Sequence, residues 1–413
     1  MDKKLDTLLS FLYDLNDSLQ LNKFSVNINF IQLLYWPFKQ TFPESGFKYS
    51  SELLEHLFFR YEKRLTAQVE HLIIDSRYCI IKKELAKDIA NFCQDIYNLQ
   101  SISLDLKYNQ LTSLSGESIA SIFLSKKCLQ NIHLDLENNL IGDKGLKQIL
   151  LNIASLPLLV NLNLNLRQNE LTKKSAHRIS QILQKQENLE SLLVNVEQND
   201  ITDEGAFQII QSIQYLSQLK VLSLNLGYNR FIHLEKLRTL RQFQLHNLQT
   251  FEFSFVNQQF QNIPVHLIHQ MTKNSLQLEN LFIDLRSNDL SDYSVLCLAA
   301  SLQKFEFLTS LNVNLMSNPI ELTSFKKLIE ICYGFNLLQS AIISHRNFQQ
   351  NANNNNNQRH SKDCLCYKLQ KKTIENKRAI LILNAYEKYI KPNLISYKHT
   401  NMNLKLNFWD LHY

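Results

Sequence analysis

The chain has 413 residues, 45% apolar and 20% charged, with a formal net charge of +6 at neutral pH. That balance describes a folded chain with ample core material and excludes the disordered and fibrous classes. Seven scattered cysteines exclude a dense disulfide framework and fit a reducing compartment, cytoplasmic or nuclear, and apolar runs such as 295–300 are too short to cross a bilayer.

Neither a signal peptide nor a transmembrane helix is expected, because Asp6, Asp14 and Asp17 interrupt the N-terminal apolar stretch. The cationic excess is local. From Arg346 onward twelve Lys or Arg face four Asp or Glu, and the first 345 residues are slightly acidic.

Residues 1–68 show no repeat. Leu8, Leu9, Phe11, Leu12, Leu15 and Leu19 have helical spacing, as do Leu53, Leu54, Leu57, Phe58 and Tyr61. An aromatic-rich stretch at 30–42 lies between them, and the segment is expected to be a helical N-terminal cap over the first repeat. From residue 69 a thirty-residue period sets in, marked by Leu99, Leu129, Leu159, Leu189 and Leu219, and with a one-residue slip by Leu248, Leu278 and Leu308.

Residues 129–145, LQNIHLDLENNLIGDKG, show the template. Ile132, Leu134 and Leu136 alternate as one face of a short strand. Asn139 follows where the chain turns away, and its amide is expected to satisfy backbone groups left unpaired there. Asp143 and Gly145, like Asp203 and Gly205, suit a helix entry with Asp as cap. Leu146, Ile149, Leu150 and Ile153 form a helical stripe that packs back on the strand. A degenerate unit precedes Leu99, with Val69, Leu72, Ile74 and Ile81 in the apolar sites, Cys79 in the asparagine site and a helix over 83–96. In the sixth unit Phe251, Phe253 and Phe255 replace aliphatics and Gln258 the asparagine, so a bulge or altered curvature is expected. Leu338, Ala341 and Ile343 read as a truncated last unit.

The pattern LxxLxLxLxxNxIxDxGxxxIxxxL resembles the ribonuclease-inhibitor type of leucine-rich repeat over roughly residues 69–345. The resemblance implies an α/β leucine-rich repeat solenoid, a horseshoe with a parallel sheet on the concave face and helices on the convex face.

Strand residues between the buried ones must face the concave side. One column runs Asp105, Asp135, Asn165, Asn195, Asn225, Ser254, Asp284 and Asn314. It reads as a hydrogen-bonded ladder or as a polar docking strip made acidic at one end by Asp105, Asp135 and Glu137. The expected partner-binding residues are Tyr108, His133, Asp135, Glu137, Arg167, Tyr228, Phe282, Asp284 and Arg286, with the aromatics as anchors. No catalytic motif is present: there is no GxSxG, HExxH or P-loop, and His133 beside Asp135 reads as two polar residues on a sheet face. Cys364, Cys366 and His360 lack metal-site spacing, so no metal or cofactor is expected.

GTPase-activating proteins acting on the Ran GTPase share this repeat type, and the resemblance implies an arginine from an early repeat loop and an acidic tail. Here the tail is basic, and Arg77 is the only early repeat candidate. Residues 346–361, with asparagines at 353–357, are expected to be a disordered spacer. Residues 362–413 form a basic tail with a helix over 371–390 and a strand over 402–408, docking on the solenoid end in preference to an acidic partner or nucleic acid. The functional expectation is a non-enzymatic scaffold that binds a partner protein and has no membrane association; the alternative is a small-GTPase regulator.

Overall fold

The computed structural model describes residues 23–27, 69–78, 83–94, 96–241, 243–256, 262–332, 334–346, 364–370 and 382–384. The chain divides into two compact units, residues 1–212 and 213–413.

In the first unit, strands β1 (Lys23–Asn27), β2 (His71–Asp75), β3 (Ser101–Asp105), β4 (Asn131–Asp135), β5 (Asn161–Asn165) and β6 (Ser191–Asn195) run parallel. From β2 onward the register follows the thirty-residue period, so that Ile74, Leu104, Leu134, Leu164 and Val194 lie side by side. These side chains are buried, as alternation requires when one face of a sheet is covered. The helices α1 (Lys83–Gln94), α2 (Ser113–Ile122), α3 (Gly142–Ile153), α4 (Lys173–Leu183) and α5 (Asp203–Ser212) connect successive strands. Each buries an apolar stripe, such as Leu146, Ile149, Leu150 and Ile153 of α3.

The second unit repeats the design with parallel strands β7 (Val221–Asn225), β8 (Thr250–Ser254), β9 (Asn280–Asp284), β10 (Ser310–Asn314) and β11 (Ser340–Arg346). Its helices are α6 (Ile263–Thr272), α7 (Asp292–Leu302) and α8 (Leu322–Cys332). Strands β12 (Cys364–Gln370) and β13 (Ile382–Asn384) then extend the sheet antiparallel.

The asparagine holds each corner together. Asn139 accepts from the backbone N–H groups of Asn109 and Leu111 at 3.0 and 2.9 Å, and donates to the carbonyls of Leu106 and Leu136 at 3.0 and 2.9 Å. Asn199 and Asn318 make the equivalent set. The residue just before the asparagine is left-handed in the described corners, including Tyr108, Asn138, Tyr228 and Ser317, as is Tyr78 before Cys79, with φ between 52° and 60°. This conformation reverses the chain out of the strand, and the bonded corner offsets its steric cost. Strand, left-handed corner, asparagine ladder and returning helix together make both units α/β leucine-rich repeat solenoids.

Several expectations need correcting. Asp143 does not cap its own helix: its carboxylate reaches the next repeat, where it accepts from the N–H and hydroxyl of both Thr172 and Ser175 at the start of α4. Gly145 is required by close helix packing, since a Cβ there would lie 2.9 Å from the Cα of Ser113. The phenylalanine unit has no bulge, and β8 pairs in register on both sides. The irregularity falls one connection earlier, where a 3-10 helix, Leu234–Thr239, stands in place of an α-helix and Phe231 stacks on Phe255 at 5.4 Å.

Within the segment expected as an N-terminal helical cap, residues 23–27 are a strand, and the helices expected at 6–21 and 51–61 lie outside the described residues. Within the tail segment expected as a helix over 371–390, residues 382–384 are a strand that pairs antiparallel with β12, so strand pairing overrides the helical spacing there. Cys79, the spacer at 347–361 and the expected strand at 402–408 also lie outside the described residues.

Candidate functional site

The side chains between the buried strand positions form an open face in each unit. The Asp/Asn column has a local cause. The side-chain Oδ1 of Asp75, Asp105, Asp135, Asn165, Asn195, Asn225, Asp284 and Asn314 each accepts from the backbone N–H two residues on, at 3.0–3.5 Å. Short side chains with an acceptor at that reach are Asp and Asn, and the bond closes the strand exit as an Asx turn. The column is therefore primarily structural.

On the first unit's open face, a charge lattice grows from these carboxylates. Arg77 donates to both oxygens of Asp75 at 2.9 and 2.7 Å and lies 3.3 Å from Asp105. Lys107 lies 3.6 Å from both Asp105 and Asp135, and Arg167 lies 3.0 Å from Glu137 and 3.5 Å from Glu197. Asn165 bridges Asp135 and Glu137 at 3.0 and 3.1 Å. The expected acidic end is thus interleaved with cations.

The lattice tunes its members in opposite directions. The hydrogen-bonded Arg77 guanidinium holds the Asp75 carboxyl below its usual range. Burial, and next the neighbouring Asp135, pushes Asp105 up. Burial opposes the charge on Lys107, but Asp105 and Asp135 outweigh it and raise its pKa.

Beside the lattice, the Tyr78 and Tyr108 rings stack at 4.6 Å and 18°. The Tyr108 hydroxyl donates to Glu137 at 3.1 Å, and burial followed by that carboxylate pushes its phenol up. Tyr78 remains 63% exposed. The outer ring of the stack therefore presents a flat apolar surface bordered by Arg77, on a backbone fixed by two left-handed corners.

Of the sequence-derived candidates in this unit, Tyr108, Glu137 and Arg167 meet in one hydrogen-bonded group. Asp135 is only 6% exposed, and its carboxylate is taken up by Glu137 N–H, Asn165 and Lys107. His133 is half-buried between Ser103 and Asn163 and makes no hydrogen bond to Asp135. In the second unit Phe282 is half-buried between Glu252 and Asn312, and Tyr228 is exposed. Arg286 grips Asp284 through Nε at 2.9 and 3.0 Å and Nη2 at 2.7 Å, the same two-residue pairing as Asp75 and Arg77. Tyr78 is the residue sequence reasoning missed. Its signal was its place in the Tyr108 and Tyr228 column, hidden because Cys79 interrupts the motif.

Among the described residues no group of three His, Cys, Asp or Glu is placed to hold a metal ion, and no helix is long and apolar enough to cross a membrane. No family model matches the chain, and no curated protein matches it. A solved structure of the Rad7 and Elc1 complex in yeast is similar at 16% identity, covering 82% of this chain and 90% of that one, with a TM-score of 0.38.

Proposed function

We propose that the protein is a non-enzymatic interaction scaffold, built of ribonuclease-inhibitor-type repeats, that binds a partner protein on its open strand face. The observation that carries this reading is the Tyr78–Tyr108 stack. It is exposed, preorganised by its corners, and flanked by a guanidinium and carboxylates that can set the register of a partner. The Asx column builds the strand exits, which leaves Tyr78, Tyr108, His133 and Arg167 to supply contacts on the first unit's open face and, on the second unit's own face, Tyr228 and Phe282.

The pairing of β1 on β2 in the first unit supports a capping role for residues 1–68, and the pairing of β12 on β11 in the second unit supports docking of the tail on that unit's last parallel strand. The reducing compartment inferred from the cysteines, cytoplasmic or nuclear, suits such a role. The rival reading, a small-GTPase activator, depends on Arg77, whose guanidinium is engaged by Asp75 and Asp105. An arginine supplied to a nucleotide would first have to leave that pair.

Affinity capture from cell extract tests the proposal. Proteins retained by the native chain should be lost with Tyr78→Ala/Tyr108→Ala. An unchanged set of captured proteins would remove the assignment, and GTP hydrolysis stimulated by the native chain and lost in Arg77→Ala would favour the rival.

A further inference from the structure

The helical side of the first unit carries a cleft of about 630 Å³ over the N-terminal turns of α3, α4 and α5. Its chemistry differs from that of the open face. Lys144 and Lys147 from α3, and Lys173, Lys174 and Arg178 from α4, line it. The opposing charges are already committed or peripheral. The Asp143 carboxylate is consumed by the Thr172 and Ser175 hydrogen bonds, which outweigh its burial and hold its pKa low. Lys144 pairs with Glu117 of α2 at 3.5 Å. Glu204 of α5 lies at the opposite wall and accepts from Gln208 at 3.1 Å. Lys147, Lys173 and Lys174 make no side-chain hydrogen bond or ion pair among the described residues.

Three ammonium groups on adjacent helices, each exposed, gather at one cleft, and an anion seated there would meet all three at once. We propose that this cleft binds a compact ligand carrying two or more phosphate groups. Apart from the His177 imidazole the lining consists of charged and amide side chains, with no Leu, Ile, Val, Phe, Tyr or Trp, so an acidic peptide would find no large apolar anchor there. Glu117 and Glu204 close the cationic zone on both sides, which interrupts the continuous basic track that a nucleic-acid strand follows. What fits is dense charge in a small volume, met by lysines acting as point charges and by the charge of Arg178, whose Nη1 donates to Gln181 at 2.7 Å. The ligand chemistry is that of clustered phosphates, whether in a free molecule or in a lipid headgroup.

Isothermal titration calorimetry of the full chain with inorganic tripolyphosphate tests the site. Binding is expected at moderate salt, and Lys147→Gln/Lys173→Gln/Lys174→Gln should weaken it by about tenfold or more. A control, Lys127→Gln/Lys185→Gln, should bind as the native chain does. All these positions are exposed, so both variants should keep the native melting temperature, which separates lost binding from lost folding. Sedimentation with vesicles containing phosphatidylinositol bisphosphate identifies a headgroup source if they bind the native chain and release the cleft variant. The proposal is overturned by absence of tripolyphosphate binding, by equal weakening in the control variant, or by equally tight binding of a glutamate peptide of the same charge.

Discussion

The Nζ of Lys126 donates to the carbonyl of Cys93 at 2.6 Å, across the boundary between two repeats. The same ammonium reaches the carbonyls of Gln94 and Ile96 at 3.0 and 2.8 Å, and the side chain is 1% exposed. It therefore closes the C-terminal end of α1, where helical carbonyls lack partners. Gln186 does the same for the chain end at Ile153 and Leu156. Lys126→Met keeps the aliphatic stem and leaves the carbonyls unpaired, so it should lower stability by about 2–4 kcal/mol. Urea denaturation measures this, and a midpoint unchanged from the native chain would disprove the capping role.

Asn139 tests the ladder. Asn139→Ala removes an acceptor for two N–H groups and a donor for two carbonyls, all in a buried corner. The expected loss is about 2–4 kcal/mol, whereas Asn138→Ala, one residue earlier and exposed, should cost far less through its hydrogen-bonded groups. Because repeats are stabilised through their neighbours, hydrogen exchange should rise in the corners at 109 and 169 as well as at 139.

Acid sensitivity should divide by sign. Burial works against the Asp143 charge, but the Ser175 and Thr172 hydrogen bonds win and hold its folded pKa below the ordinary 3.8. Its contribution is thus present above the unfolded value and lost as pH falls through the lowered folded value. Asp143→Asn should be less stable than the native chain at pH 7, with the gap closing as pH falls from the unfolded value through the lowered folded one. Asp105 behaves oppositely, because burial and Asp135 raise its pKa. Its contribution is present below the unfolded value and lost as pH rises through the raised one, so Asp105→Asn should lose nothing from ionisation at pH 7. Melting temperatures of both variants between pH 3 and 7 measure the contrast.

The solenoid was legible because burying one strand face imposes a period-two pattern, and stacking identical units copies it every thirty residues. The register of Leu104, Leu134 and Leu164 and the role of Asn139 follow from that pattern alone. What lay outside it are contacts between repeats. Asp143 looks like a cap for its own helix until the next helix start is placed against it, and Lys126 looks like one more surface cation. The charge lattice needed the lateral order of Arg77, Lys107, Glu137, Arg167 and Glu197, which turns an apparently acidic end into paired charges. The Asp/Asn column was visible, but its cause, a bond of two residues' reach, depends on the backbone at the strand exit.

The most direct measurement of the scaffold account places a photocrosslinking phenylalanine analogue at position 78 and, separately, at position 97, whose tyrosine is also exposed. Irradiation in cell extract should give a discrete adduct with one protein from position 78 and none of that adduct from position 97. No adduct from position 78, or the same adducts from both positions, would contradict docking at the Tyr78–Tyr108 stack.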